Sequence, residues 1–250
     1  MTSYHGGKKR IGKELATIIV DETMNIIEED DFEIKGYCEP FCGMLGVFQY
    51  IPELFNEEGL DLKYKAGDTN KSVIMMWNKI KKGWKPPVKL VTKTKFMKMK
   101  SDGKSSAEKG YIGHYYGYMG KYFQPFDDRH SSSSRQRSSE KVTIIGTKMK
   151  NVKFSAGSYE KFSNLSGYII YCDPPYKKQS HYYTEDGKHI ESFDHNNFWS
   201  WCRRMSENNI IFLSEYDAPE DFQKIWSKDS RTTGKNMKEN LYILYSRYKI

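Results

Sequence analysis

The amino-acid sequence predicts an α/β fold built on a largely parallel sheet. Short apolar runs alternate with longer stretches of helical periodicity. Several of these runs stop at turns carrying an acid, as after Cys38, Ala66 and Cys172. Between about residues 80 and 140 the alternation breaks and a segment of different composition intervenes.

The elements follow in order. Ile11, Leu15, Ile18, Ile19, Ile26 and Ile27, with charges between them, space an amphipathic helix over 10–29. Residues 34–38 form a short strand, and Glu39-Pro40-Phe41-Cys42-Gly43-Met44-Leu45-Gly46 a glycine-bearing turn. A helix starts within Val47–Phe55, where Pro52 must occupy the first turn because it lacks an N–H. Leu62–Ala66 is a strand ending at Gly67-Asp68, and Thr69–Ile80 is helical. From Lys79 to Lys104 there are ten lysines and one acid, with Pro86-Pro87 as a break. Residues 111–126, YIGHYYGYMGKYFQPF, hold seven aromatics among glycines, and HSSSSRQRSSE is expected as a mobile, low-complexity stretch. Patterning returns at Val142, with strands at Val152–Phe154 and Gly167–Tyr171, a helix from about Phe193 to Asn208 and a strand at Ile210–Leu213.

Composition sets bounds on function. A formal charge of +8 and a pI of about 9.0 point weakly to a polyanionic partner. No apolar run reaches the length of a membrane span, and MTSYHGGKKR carries no apolar stretch of a secretory signal, so an intracellular, soluble protein is expected. Cys38, Cys42, Cys172 and Cys202 lack the spacing of a zinc site or a disulfide framework and are expected as buried thiols in a reducing compartment. The six histidines are scattered, and no metal site is expected.

The most informative stretch is IIYCDPPYKK, residues 169–178. Asp173-Pro174-Pro175-Tyr176 cannot continue the strand, because proline cannot donate to a ladder. Taken alone, the tetrapeptide also suits an ordinary turn. Its position beyond the carboxyl end of a strand is where open α/β sheets bind ligands.

Together with three other motifs, this stretch resembles the Dam-like (D12 class) DNA adenine-N6 methyltransferases. His5-Gly6-Gly7-Lys8 is similar to the family's x-G-G-K, and Tyr37-Cys38-Glu39-Pro40-Phe41-Cys42-Gly43 to its E-P-F-x-G loop. Gly67-Asp68-Thr69-Asn70, followed by a helix with Trp77, is similar to its acidic motif, and Asp173-Pro174-Pro175-Tyr176 to its D-P-P-Y. The order also matches, and the motifs frame most of the chain. One position departs: the second glycine of F-x-G-x-G falls on Leu45, with Gly46 one place later, and leucine there is expected to narrow the loop.

The resemblance implies a Rossmann-like S-adenosylmethionine-dependent methyltransferase sheet with an inserted target-recognition domain. The catalytic domain would comprise residues 1–80 and 141–250, and the insert 81–140. The implied reaction is methyl transfer from S-adenosylmethionine to N6 of a flipped-out adenine in double-stranded DNA. An adenine amino group is a poor nucleophile until its nitrogen becomes tetrahedral, and two acceptors beside its N–H bonds favour that geometry. Asp173 supplies a carboxylate, Pro174 a carbonyl, Pro175 stiffness and Tyr176 a face for the base. For the cofactor, the implied residues are Tyr4, Gly7, Lys8, Glu39, Pro40, Phe41, Gly43, Asp68, Tyr159 and Asp173, with Lys8 on the methionine carboxylate and Asp68 on the ribose. Lys121, Tyr122 and Arg129 are expected at DNA, and Ser214 and Tyr216 near the base pocket. A cognate restriction endonuclease and a second copy of the chain are candidate partners. Two other readings stay open at this point: a cytosine-N4 or RNA methyltransferase, against which Asp173 speaks where serine is more usual, and a catalytically silent DNA-binding homologue.

Overall fold

A computed structural model describes residue 8 and residues 10–30, 32–177, 193–232 and 235–246, of which 230–232 and 235–237 as backbone. Its centre is a seven-stranded sheet in the order β3-β2-β1-β4-β5-β7-β6. β1 (Gly36–Glu39), β2 (Lys63–Asp68), β3 (Lys153–Ala156), β4 (Tyr168–Cys172) and β5 (Ile210–Glu215) are mutually parallel. β7 (Lys235–Leu244) runs antiparallel to both β5 and the edge strand β6 (Gln223–Thr232). The strand order reverses between β1 and β4, which pair through Cys38 and Ile170. Their connections leave in opposite directions, so a crevice opens beyond the two carboxyl ends. β1, β4 and β5 are buried along their whole length, as strands covered on both faces must be.

The helices match the expected periodicity. α1 (Gly12–Asp30) turns Leu15, Ala16, Ile19, Val20 and Ile26 inward. α2 (Ile51–Glu57) carries Pro52 in its first turn, where a missing N–H costs nothing. α3 (Lys71–Ile80) is capped by the Asn70 side chain, which accepts from the Val73 amide at 3.2 Å. α7 (His195–Ser206) is capped by Asp194 in the same way. Among the described residues no helix is long and apolar enough to cross a membrane.

Residues 81–148 hold α4 (Lys93–Ser101), α5 (Ala107–Tyr115) and α6 (Ser132–Lys148), each started by a Thr or Ser cap. The serine-rich stretch expected to be mobile is the first half of α6. Its serines are small enough for close packing, and they bond to their surroundings: Tyr111 donates to Ser138 Oγ at 2.9 Å, and Ser139 Oγ donates to the Pro86 carbonyl at 2.7 Å. α6 also runs through residue 140, where the insert was expected to end.

The segment does not form a core of its own. Phe96, Tyr111, Ile112, Tyr116 and Phe123 lie in one apolar cluster with Trp77 and Ile80 of α3 and with the strands. Backbone meets backbone at Gly110 of α5, where a Cβ would stand 2.3 Å from the Ser72 carbonyl oxygen of α3. The Ser106 amide donates to Ser72 Oγ at 3.1 Å beside it. Because backbone opposes backbone there, Gly110→Ala is expected to destabilise the whole protein by about 2 kcal/mol. Thermal unfolding followed by circular dichroism should show one transition, lowered by roughly 5 °C. A separate low-temperature transition, with the main one unmoved, would contradict the shared core.

Candidate active site

Acids crowd the carboxyl edge of the sheet. Glu39 ends β1, Asp68 ends β2, Asp173 follows β4 and Glu215 ends β5. Glu239 joins them from β7, because the antiparallel register sets Asn240 opposite Glu215. Glu39, Glu215 and Glu239 are buried.

Backbone hydrogen bonds hold the loops together. Asp68 accepts from the Gly43 amide at 3.0 Å and from the Asn70 amide at 2.8 Å, tying the β1 loop to the β2 loop. The Cys42 amide donates to the Gly67 carbonyl at 2.8 Å, and Trp77 Nε1 donates to the Gly43 carbonyl at 2.9 Å. Gly43 and Leu45 both adopt positive φ, +42° and +57°. Leucine therefore keeps the backbone shape that the resemblance assigns to glycine. The left-handed conformation costs it about 1–2 kcal/mol. Complete burial of its side chain offsets this with about 2 kcal/mol. A Cβ on Gly46 would stand 3.0 Å from the Lys8 amide nitrogen, so the glycine displaced by one position lets the Lys8 segment approach.

Lys8 is the hub. Its Nζ lies 2.7 Å from Asp173 Oδ1 and 3.0 Å from Glu239 Oε1, donates to the Tyr176 hydroxyl and stands 4.6 Å from the centre of the Tyr176 ring. Tyr176 in turn donates to Glu239 Oε1. Burial alone pushes the Lys8 ammonium toward neutrality, but Asp173 and Glu239 together hold its pKa above the ordinary value. Burial raises Asp173 above the usual carboxylate range, and the Lys8 charge offsets only part of this, because one ammonium serves two acids. Burial likewise lifts Glu39, against a 2.7 Å hydrogen bond from Tyr37, and Asp68, against its two amide donors. Glu215 is pushed up to about 8 by burial, while the amides of Tyr216 and Lys177 pull the other way.

The described structure brings Lys8, Glu39, Pro40, Phe41, Gly43, Asp68 and Asp173 to this edge. Phe41 stacks on Tyr159 with centroids 5.6 Å apart and 29° between the planes. Tyr159 accepts from Asn197 Nδ2 at 3.0 Å. Tyr4 and Gly7 lie outside the described residues. The surroundings of Tyr176, Tyr122 and Ser214 are also defined. Tyr176 does not present an open face: it is 5% exposed, its hydroxyl is drawn inward by Lys8 and Glu239, and its ring meets that of Tyr216 at 82°. Tyr122 is buried against His114 and Phe123. Ser214 is fully buried and bonds to the Tyr171 hydroxyl at 2.8 Å. Lys121 is half-buried; Arg129 is exposed, and Asp127 already neutralises it through two contacts of 2.8 and 2.9 Å.

Sequence reasoning missed Glu239, Glu215 and His195. His195 Nε2 lies 3.0 Å from the Pro175 carbonyl oxygen, and Glu215 Oε2 accepts from the Lys177 amide at 3.3 Å, so both hold the tip after β4. The available signal for Glu239 was an acid at the mouth of the alternating run Leu241, Ile243.

The model of the D12 class N6 adenine-specific DNA methyltransferases matches residues 110–240, more than half of the chain. The chain belongs to that family. It is therefore an S-adenosylmethionine-dependent DNA adenine-N6 methyltransferase, and its sheet is the Rossmann-like one of such enzymes. No curated protein matches significantly. Among solved structures, the rRNA methyltransferase AviRa of Streptomyces viridochromogenes is 11% identical, with a TM-score of 0.39 over 92% of this chain and 83% of that one. Magnesium protoporphyrin IX methyltransferase of Synechocystis, solved with S-adenosylmethionine, is 9% identical, with a TM-score of 0.34 over 94% of this chain and 81% of that one. The assignment of the methyltransferase rests on the family match.

The raised Glu215 has a thermodynamic consequence. Above its ordinary value of 4.5 the unfolded chain releases this proton while the folded protein retains it up to about 8. The folded state then binds more protons, so this group's contribution to stability falls as pH rises from 4.5 through 8. Glu215→Gln is expected to match the wild type in thermal stability near pH 5 and to exceed it at pH 9, measured by calorimetry. A difference that does not grow with pH would contradict the assignment.

Proposed function

We propose that the D12 methyltransferase acts through the tip of β4, with Asp173 and the Pro174 carbonyl accepting the two N–H bonds of an adenine turned out of the duplex. The observation that carries this reading is the half-buried Asp173 carboxylate, anchored by Lys8 at 2.7 Å beside the β1/β4 crevice. Two prolines stiffen the tip, so the acceptors are oriented before the amine arrives. The carboxylate then takes the proton that N6 loses as its lone pair forms the new N–C bond.

The residues at the edge fit S-adenosylmethionine, a molecule with two cationic centres, because acids dominate the donor set. When bound, it supplies an electrophilic methyl group on a sulfonium, whose S–C electron pair returns to sulfur. Glu39 and Asp173 balance positive charge, Asp68 accepts from the ribose with the lone pairs its two amide donors leave, and Phe41 with Tyr159 flanks the purine. Gly43 and Pro40 shape the loop, and Tyr4 and Gly7 complete the cofactor site. Lys8 acts here through Asp173 rather than on the methionine carboxylate.

We assign residues 1–80 and 141–250 to catalysis and 81–140 to target recognition. α4 supports this with Lys93, Lys95, Lys98 and Lys100 around a single buried residue, Phe96. Such a surface contacts phosphates without reading sequence. Lys121 and Arg129 extend it, Arg129 after exchanging Asp127 for a phosphate. A second copy of the chain would suit a palindromic site, and a cognate restriction endonuclease would share the target; sedimentation of the free protein and cleavage-protection of a methylated plasmid test the two.

Asp173→Ala is expected to lower transfer of labelled methyl to N6-adenine in duplex DNA by about 10³-fold, with the fold intact by circular dichroism. Undiminished transfer would remove this mechanism. Converting all four α4 lysines to glutamine should weaken DNA binding and flatten its dependence on salt by about four counterions at most. An unchanged salt slope would place the phosphate contacts elsewhere.

A further inference from the structure

We propose that Glu239 is a positioning residue for methyl transfer: it retains the Lys8 ammonium and the Tyr176 hydroxyl while the adenine amine displaces Lys8 from the Asp173 carboxylate. This rests on the reading of Asp173 as the acceptor for N6.

The argument starts from burial. Glu239 sits in β7 with 8% of its surface exposed, and a carboxylate taken out of water needs charged or hydrogen-bonded partners. Its partners among the described residues are Lys8, at 3.0 Å, and Tyr176. Both belong to the Asp173 cluster, and neither is needed to pair β7 with β5 or β6, which the backbone register accomplishes. The acid therefore serves the site rather than the sheet.

The second step is the conflict at Asp173. Lys8 donates an N–H to Oδ1 at 2.7 Å, which is the kind of bond the adenine amine must make. The carboxylate has lone pairs for both donors but shares one charge between them, so the Lys8 bond gives way as the amine's bond forms. Were Asp173 the sole anion, the ammonium would then be left buried and poorly paired, which would oppose entry of the amine. With Glu239 at 3.0 Å on the other side, Lys8 needs only a small displacement to stay paired. The Tyr176 hydroxyl, which accepts from Lys8 and donates to Glu239, keeps that displacement on a fixed line. The same hydroxyl ties the last residue of D-P-P-Y to β7, so the tip does not follow Lys8.

The test is Glu239→Gln, which keeps the shape and the acceptor for Tyr176 but removes the charge. We expect kcat for duplex DNA to fall about 10–100-fold, with the KM for S-adenosylmethionine changed less than about threefold. Thermal unfolding of the variant reports any general loss of structure. A double-mutant cycle supplies the readout that a merely structural acid would not give. In a Lys8→Met background Glu239→Gln should lower kcat no further, because no ammonium is left to retain. Wild-type kcat in Glu239→Gln, or losses that multiply in the double variant, would overturn the proposal. Asp173→Ala assayed in parallel separates the two levels. Full activity there removes the reading of Asp173 itself, whereas loss there with full activity in Glu239→Gln removes the role of Glu239 alone.

Discussion

The reversal of strand order between β1 and β4 is the constraint on which the rest depends. It directs one connection each way and leaves the carboxyl ends of both strands facing an open crevice. Side chains that end these strands must therefore be polar, and here they are acids. Brought together and buried, they repel one another and lose hydration. The protein answers with backbone amides at Asp68 and Glu215, a phenol at Glu39 and a single ammonium shared by Asp173 and Glu239. Among the described residues the edge stays short of cations, which suits a ligand that arrives with positive charge.

Rigidity at this edge comes from the second layer of contacts. Trp77 reaches from α3 to the Gly43 carbonyl, His195 from α7 to Pro175, and Asn240 from β7 to the Tyr216 carbonyl at 2.7 Å. Each loop is thus held by a different element. Leu45 illustrates how local strain is absorbed: an unfavourable backbone angle is balanced by a side chain that fills the core beneath the loop.

Much of this was legible in the sequence for physical reasons. β4 announces itself because β-branched residues stop abruptly at two prolines, and α3 because helical periodicity follows directly on the Gly67-Asp68 strand end. β6 and β7 were not read, since β6 alternates polar residues with few apolar ones and gains its stability from pairing with β7. α6 escaped because serine favours turns locally, while its helix is fixed by tertiary contacts to Tyr111 and Pro86. At the site, motif residues were found by their neighbours in sequence. Glu239 and His195 were not, because what makes them matter is proximity across the fold. For Tyr176 and Tyr122 the sequence gives no sign of which way the ring faces, since that too is set by packing across the fold.

The seam between α3 and α5 also bears on how target preference diversifies. Gly110 against Ser72, and Trp77 in the same apolar cluster as Tyr111, join the lysine-bearing segment to the scaffold as closely as neighbouring helices of one domain. A recognition module taken from a relative would have to bring the matching face of α3 and the whole of α6 with it. Exchange by recombination at residues 80 and 140 would sever packed side chains, so new preferences in this lineage would arise more readily by substitution on the outer surface of the segment than by wholesale transplantation.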